Sequence, residues 1–231
     1  MSTIEKDFGA NKIYLKIVEG SLRQKVQEGH PEAVKRDWVA GGESGAVWEI
    51  PSKAAYGRIT DVSFYEGEKD GRRFTTLNIA LDESEDGKTP IITAGVDTKY
   101  AQDILKKLPN VDLSQEVRIR PYSYMKEGDD RNTVGVEITQ RDQAEQFTKK
   151  IGDFFYDFET KESKHGYPTP PKERTEMTNK DWRRYFEDAN DFVVEYVKEH
   201  IVSKFITGGV NDVGSKAIAD PEEDDFSSIP F

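Results

Sequence analysis

Asp97-Thr98-Lys99-Tyr100-Ala101-Gln102-Asp103-Ile104-Leu105-Lys106-Lys107-Leu108-Pro109-Asn110 breaks the pattern of everything around it. Tyr100, Ala101, Ile104, Leu105 and Leu108 recur at spacings of three and four, the repeat of one helix face, whereas the flanking segments alternate at every second residue. Asp97 is placed to cap this helix, since its short carboxylate can accept a free amide of the first turn, and Pro109-Asn110 stops it. Three β-type runs come before it: residues 46–65, with a break at Pro51-Ser52, residues 72–81 and residues 90–96. Polar connections at 66–71 and 82–88 separate them. Two more runs follow, at 116–124 and 133–139, joined by the polar loop 125–132. Within 116–124, Val117, Ile119 and Pro121 fall on one face, and Arg118, Arg120, Tyr122 and Tyr124 on the other, because successive side chains of a strand point to opposite sides.

Three strands, one helix and two strands is the order of the OB-fold, a small barrel that binds oligonucleotides or oligosaccharides. The expectation is a mainly β chain with added α: a five-stranded Greek-key OB barrel over residues 46–141, an N-terminal hairpin extension and two C-terminal helices. The extension, residues 1–45, holds two short β runs (13–18 and 22–26) about Glu19-Gly20-Ser21, which read as a hairpin. Residues 27–45, with Pro31 and several glycines, read as a long loop with one helical turn near 32–38. Gly41-Gly42-Glu43-Ser44-Gly45 lacks the Gly-Lys-Ser/Thr of a phosphate-cradling loop. Residues 142–206 read as helical. Phe147, Ile151, Phe154, Phe155 and Phe158 form one apolar stripe. Beyond the loop of Pro168, Pro170 and Pro171, Trp182, Tyr185, Phe186, Ala189, Phe192, Val193, Tyr196 and Val197 form a second, with Thr178 and Asp181 marking its start. Gly208-Gly209 ends the order. Residues 207–231 read as a disordered linker and an acidic tip, too poor in apolar side chains to offset the entropy of ordering.

The chain has 231 residues, no cysteine and a formal net charge of −11. Disulfides and thiolate metal sites are excluded, and His30, His165 and His200 stand in separate polar contexts without zinc spacing, so no cofactor or metal is expected. The opening residues carry neither a basic nor an apolar signal region. No run approaches the roughly 18 apolar residues of a membrane span. A soluble protein of the cytoplasm, with no membrane partner, is the expectation. The charge argues against a general polyanion binder, whose affinity comes from Lys and Arg releasing counterions at phosphates. Asp220, Glu222, Glu223, Asp224 and Asp225 lie in the tail with no basic residue among them, and setting those five aside from −11 leaves −6 on the body. A nucleic-acid site must then be a local basic and aromatic surface.

Single-stranded bases stack on aromatic faces flanked by cations that track the phosphates. Arg118, Arg120, Tyr122 and Tyr124 supply both on one strand face. Arg72, Arg73 and Phe74 open the second barrel strand, and Lys126 and Arg131 lie in the loop between the last two. Tyr56, Arg58 and Lys99 complete the candidate DNA-binding set, with Phe64, Tyr65 and Tyr100 as further aromatics. Asp157-Phe158-Glu159-Thr160 matches the Asp-x-Glu-Thr start of some two-metal exonucleases. It stands in a helix-period stripe, and neither Tyr185 nor Tyr196 is followed four residues on by Asp, so an enzyme is not expected.

Asp224-Asp225-Phe226-Ser227-Ser228-Ile229-Pro230-Phe231 resembles the C-terminal tip of bacterial single-stranded-DNA-binding proteins, an acidic run leading into Ile-Pro-Phe. Ser227 and Ser228 separate the acids from Ile229, which departs from that pattern. With the OB-like element order of residues 46–141, the chain resembles the single-stranded-DNA-binding proteins of tailed bacteriophages, closely at the tip and by element order over 46–141, with an extra helical region. The resemblance implies a protein that coats single-stranded DNA during replication, recombination and repair in a bacterial host cytoplasm. It also implies recruitment of polymerase, helicase or recombination factors through Asp224, Asp225, Phe226, Ile229, Pro230 and Phe231. The alternative is an OB-type replication accessory or protein-interaction module that does not coat DNA.

Overall fold

The computed structural model describes residues 11–207 apart from positions 41, 42, 70, 85 and 143; the acidic tip lies outside the described residues. The chain is mainly β with added helices. Its strands are β1 (Lys12–Val18), β2 (Ser21–Val26), β3 (Val34–Ala40), β4 (Glu43–Ser52), β5 (Ala55–Lys69), β6 (Arg72–Leu81), β7 (Thr89–Gly95), β8 (Glu116–Tyr124), β9 (Thr133–Gln140) and the two-residue β10 (Lys149–Lys150). All ten join one sheet in the order β10-β9-β8-β5-β6-β7-β1-β2-β4-β3. Every pairing is antiparallel except β1 on β7.

Helix α1 (Lys99–Lys107) joins β7 to β8, as the spacing predicts. Its cap is Thr98, one residue later than expected. The Thr98 hydroxyl accepts the Ala101 amide at 3.2 Å and donates to the Gly95 carbonyl at 2.7 Å, so it fixes the turn out of β7 as well as the first helical turn. Ala101, Ile104 and Leu105 are buried against the sheet.

Strand β5 serves two neighbours. Residues 55–58 pair with β8, and from Ile59 onward the strand pairs with β6, with an irregularity between Ile59 and Asp61. Such a bulge bends a strand and lets one sheet curl around a core. That core holds Val62, Leu77, Ile79, Leu81, Ile92, Ile104, Leu105, Val117, Ile119, Ile138 and Phe155.

The outer edge of β9 is covered by α1 and by residues 149–151. Asp103 accepts the Val136 amide at 2.6 Å, and the Lys107 ammonium donates to the Val136 carbonyl. The Ile151 amide then reaches the Ile138 carbonyl at 2.9 Å, beyond which β10 pairs with Gln140 and Thr139. Side chains and a short strand thus occupy a row of backbone groups that would otherwise template association.

Three expectations are corrected. Residues 34–40, read as loop and a helical turn, form strand β3, paired along its length with β4; the turns are confined to His30 bonding Gln27 and Ala33 bonding His30. The run 46–65 is not one barrel strand, because β4 pairs with β2 and β3 and the strand that meets β8 begins at Ala55. Residues 147–158 are not helical. The Asp153 carboxylate accepts the amides of Phe155 (2.8 Å) and Tyr156 (3.1 Å), and this local turn competes with the helix that the aromatic spacing suggests. Phe155 is nevertheless fully buried, edge-on to Phe154, Phe192 and Tyr196.

The second stripe is helical. Helix α2 (Asn179–Val197) starts at a Thr178–Asp181 capping box and buries Ala189, Val193, Val194 and Val197; a π turn (Lys198–Val202) leads into α3 (Ser203–Thr207). Among the described residues no helix is long and apolar enough to cross a membrane.

Candidate nucleic-acid interface

Strand parity decides which side chains face outward. In β8, Val117, Ile119 and Pro121 are buried, while Arg118, Arg120, Tyr122 and Tyr124 alternate on the outside as expected. Tyr56 of β5 stands opposite Arg118, and Arg58 opposite Glu116, so both share that face. On the other side, Arg118 faces Thr139, Arg120 faces Glu137, Tyr122 faces Gly135 and Tyr124 faces Thr133.

Glu137 lies at the centre of this patch. Its carboxylate meets Arg118 at 2.7 Å, Arg120 at 3.2 Å and Lys150 at 3.7 Å. Burial pushes its pKa up, but Arg120, Arg118 and Lys150 outweigh that and hold it below the usual carboxylate range. Three cations around one carboxylate leave net positive charge.

The Tyr122 and Tyr124 rings lie 5.9 Å apart. Tyr122 covers Gly135, where a Cβ would overlap its ring, and burial followed by the nearby Asp103 carboxylate raises its hydroxyl pKa. Tyr56 meets Phe147 edge-on at 5.4 Å, and the Arg141 guanidinium lies 4.5 Å over the Phe147 ring. Phe147, Arg141 and Lys150 were not among the residues expected here. Phe147 was masked by its apparent place in a helical stripe.

A second outward surface spans β5 to β4. Ser63 stands opposite Asn78, Asn78 opposite Thr93, Thr93 beside Lys16, Lys16 opposite Arg23, and Arg23 opposite Pro51. Directly paired residues share a face, so small polar side chains run across the sheet into a pair of cations. The parallel row of Asp61, Ala80, Ile91 and Tyr14 lies on one side of it, and Tyr65, Thr76 and Gly95 on the other. Phe74 continues this face; it sits over Gly67 with its ring 6.1 Å from Tyr65. Lys25 faces Glu49, and the buried Glu49 is held by Arg36 through two 2.9 Å bonds and by Arg23 at 3.4 Å. The result is a small-residue floor with aromatic rings at its borders and cations at one end.

The remaining expected residues are dispersed. Arg72 begins β6 on the same face as Phe74, but Arg73 points to the opposite one and pairs with Glu68 at 3.8 Å. Lys126 and Arg131 are exposed in the loop that follows Tyr124. Lys99 is exposed at the first turn of α1; beside it Tyr100 bonds the Gly20 backbone and the Ser123 side chain, and burial raises its hydroxyl pKa. Arg58 is paired with Asp82 at 3.6 Å, and Phe64 faces the core under Lys198. Tyr14, Lys16, Arg23, Lys25 and Arg36 were missed. The signal was present, because Lys12, Tyr14 and Lys16 alternate with Ile13, Leu15 and Ile17.

Asp157, the first residue of the nuclease-like motif, is spent locally. Lys164 at 2.5 Å and the amides of Thr160 and Glu159 lower its pKa to about 2. Among the described residues no group of three or more His, Asp or Glu side chains is arranged to hold a metal ion. The chain matches no protein-family model, no curated protein and no solved structure.

Proposed function

We propose that this chain is a single-stranded-DNA-binding protein built on an OB-type barrel. The neighbour order β7-β6-β5-β8-β9, with α1 between β7 and β8, supports the barrel reading. In that fold the second and third strands and the loops after the first and fourth strands engage oligonucleotides. Here these are β6, β7, the β5–β6 connection leading to Arg72, and the loop bearing Lys126 and Arg131.

The observation that carries the proposal is the row Ser63, Asn78, Thr93, Lys16 and Arg23. Its small side chains let a strand approach the sheet, Tyr14, Tyr65 and Phe74 offer stacking faces beside it, and Lys16 and Arg23 answer the phosphates. The β8 patch, with Tyr56, Tyr122 and Tyr124 among Arg118, Arg120 and Lys150, extends the path around the barrel. Binding without sequence preference follows, because stacking and phosphate contacts read no base edge. The physiological role proposed is coating of strands exposed in replication, recombination and repair, with the Ile229-Pro230-Phe231 tip recruiting partner proteins.

Titration of the full chain with fluorescent poly-dT and with duplex DNA tests this. Saturable poly-dT binding that weakens on Lys16→Ala with Arg23→Ala, and is much poorer for duplex, is expected. No poly-dT binding at low salt overturns the reading in favour of a protein-interaction module.

A further inference from the structure

Strand β3 is the end of the ten-stranded sheet, and among the described residues it pairs on one side only, with β4. The opposite end of the sheet is β10, two residues long. Natural sheets blunt a free edge by keeping it short, placing charges on it, inserting proline or a bulge, or covering it, and β3 carries charges at Lys35, Arg36 and Asp37. β3 runs seven residues, Val34-Lys35-Arg36-Asp37-Trp38-Val39-Ala40, with no proline and an uninterrupted register against β4. Val34 is 51% exposed and Val39 73% exposed, one on each face.

We infer that β3 pairs antiparallel with β3 of a second copy of this chain, on a two-fold axis passing through Arg36. A two-fold perpendicular to the sheet must set like faces together, so the axis falls on a residue, and the central choices are Asp37 and its neighbours Arg36 and Trp38; with the axis at Trp38, Asp37 faces Val39 and no opposite charges meet. With the axis at Asp37, two exposed carboxylates face each other and Lys35 faces Val39. With the axis at Arg36, Lys35 faces the second copy's Asp37 twice over, and Val34 faces Trp38, an aromatic on a β-branched neighbour. Lys35 and Asp37 already meet at 3.3 Å within one strand, so both charges stand where the pairing needs them. The two Arg36 side chains at the axis are each paired with their own Glu49 at 2.9 Å, a carboxylate shared with Arg23, which reduces their mutual repulsion. Trp38 is held flat, since its ring lies over Gly45, where a Cβ would come within 2.7 Å of it.

Arg36 shares its face with Glu49, Lys25, Arg23 and Lys16 by register. The pairing therefore joins the cationic ends of both copies into one surface of a twenty-strand sheet. That consequence rests on the proposed nucleic-acid reading, whereas the pairing itself does not.

Sedimentation velocity of the full chain, without DNA, from about 1 to 200 µM tests the pairing over the range expected of a modest strand-to-strand interface. Wild type is expected to dimerise. Lys35→Glu and Asp37→Lys should each weaken the dimer by about tenfold or more, because every attraction across the axis becomes a repulsion, and Lys35→Glu with Asp37→Lys should restore it. A wild-type monomer throughout, single variants that dimerise like wild type, or a double variant that fails to recover overturns the proposal. Hydrogen exchange gives a second readout: amides of residues 34–39 should gain protection with protein concentration. Protection that does not depend on concentration would mean that the chain's own residues cover the edge, and would overturn the assignment to a second copy. Loss of poly-dT binding with an intact dimer would fault the DNA reading alone.

Discussion

Gly20, in the turn between β1 and β2, lies so close to Ser123 of β8 that a Cβ on Gly20 would overlap the Ser123 backbone nitrogen. The turn is tight: Glu19 has φ 49° and Gly20 φ 79°, the two positive values of a two-residue hairpin whose twist matches its strands. Tyr100 of α1 bonds the same point, so the hairpin tip, the helix start and the end of β8 are tied together. The hairpin that reads as an appendage in the sequence is thereby built into the ten-stranded sheet. Gly20→Ala should destabilise the fold by about 2–4 kcal/mol, combining left-handed strain with overpacking against backbone. Gly71→Ala, at φ 74° with nothing within 4 Å of the added Cβ, should show only the strain, about 1–2 kcal/mol. Urea denaturation of both variants measures the difference, and equal losses would deny the contact with β8.

What could be read in advance depended on whether a segment's period is set by its own burial. The helix at Tyr100, Ala101, Ile104 and Leu105 and the alternation of Val117 and Ile119 with Arg118 and Arg120 are local patterns against one core, and both hold. β3 escaped because one face (Lys35, Asp37, Val39) is exposed and the other only partly buried, so Lys35, Arg36 and Asp37 follow one another without apolar alternation. Residues 147–158 misled in the opposite way: helix-spaced aromatics are buried by an irregular segment held at Lys106, Ile138 and Asp153. The row from Ser63 to Arg23 draws on five strands. No single stretch of sequence states the register that assembles it.

Salt dependence separates cations that meet phosphates from those that only decorate the surface. Log affinity for single strands should fall with log salt by about 0.7 for each phosphate contact. Lys16→Ala with Arg23→Ala should therefore reduce the slope by about 1.4 if both contact phosphate. Lys198→Ala, on the far side of the sheet over Phe64, should leave the slope unchanged. Equal slopes for wild type and the double variant would remove this row from the interface.

The start of α2 should be acid-sensitive. Asp181 accepts the Thr178 amide and hydroxyl and the Lys172 ammonium, and its pKa is lowered to about 2 by these bonds, the Thr178 backbone contributing most. A depressed carboxylate adds stability that is complete above its unfolded value of about 3.9 and is lost as pH falls toward the folded value. Fraying of α2 should accordingly begin below about pH 4 in wild type. Thr178→Ala should cost about 1 kcal/mol at neutral pH and reduce that acid response in part, since the backbone amide and Lys172 still hold Asp181. Circular dichroism of both proteins between pH 7 and 2 is the measurement, and an identical acid profile would mean that the box does not hold the helix.

The tail should matter to partners more than to DNA. Residues 220–231 carry five acids and no cation, so they are repelled by a polyanion and attracted to its binding surface. Deleting 220–231 should leave poly-dT affinity equal or modestly tighter, most visibly at low salt where screening is weakest. Phe231→Ala keeps every side-chain charge, and should leave poly-dT affinity unchanged while abolishing capture of replication or repair proteins. Weaker DNA binding after the deletion would show that the tail helps to hold the strand.

Glu137 offers the sharpest test of the β8 patch. It draws Arg118, Arg120 and Lys150 toward one carboxylate and so restrains the cations that the patch would offer to phosphates. Its lowered pKa keeps it ionised through the neutral range, so protonation does not release them between pH 5 and 8. Glu137→Gln removes the charge and keeps the shape. If DNA crosses this face, affinity should rise and the salt slope should steepen by about 0.7 for each newly engaged phosphate. The fold should lose about 1–2 kcal/mol, chiefly from the mostly buried Arg118 pair, since Arg120 and Lys150 are largely solvated partners. Tyr122→Ala with Tyr124→Ala in the same background should then weaken binding by about 1–3 kcal/mol for each lost stack. Unchanged affinity and slope in both variants would confine the strand to the β6–β7–β1–β2 surface, leaving the β8 aromatics to pack against Gly135 and each other.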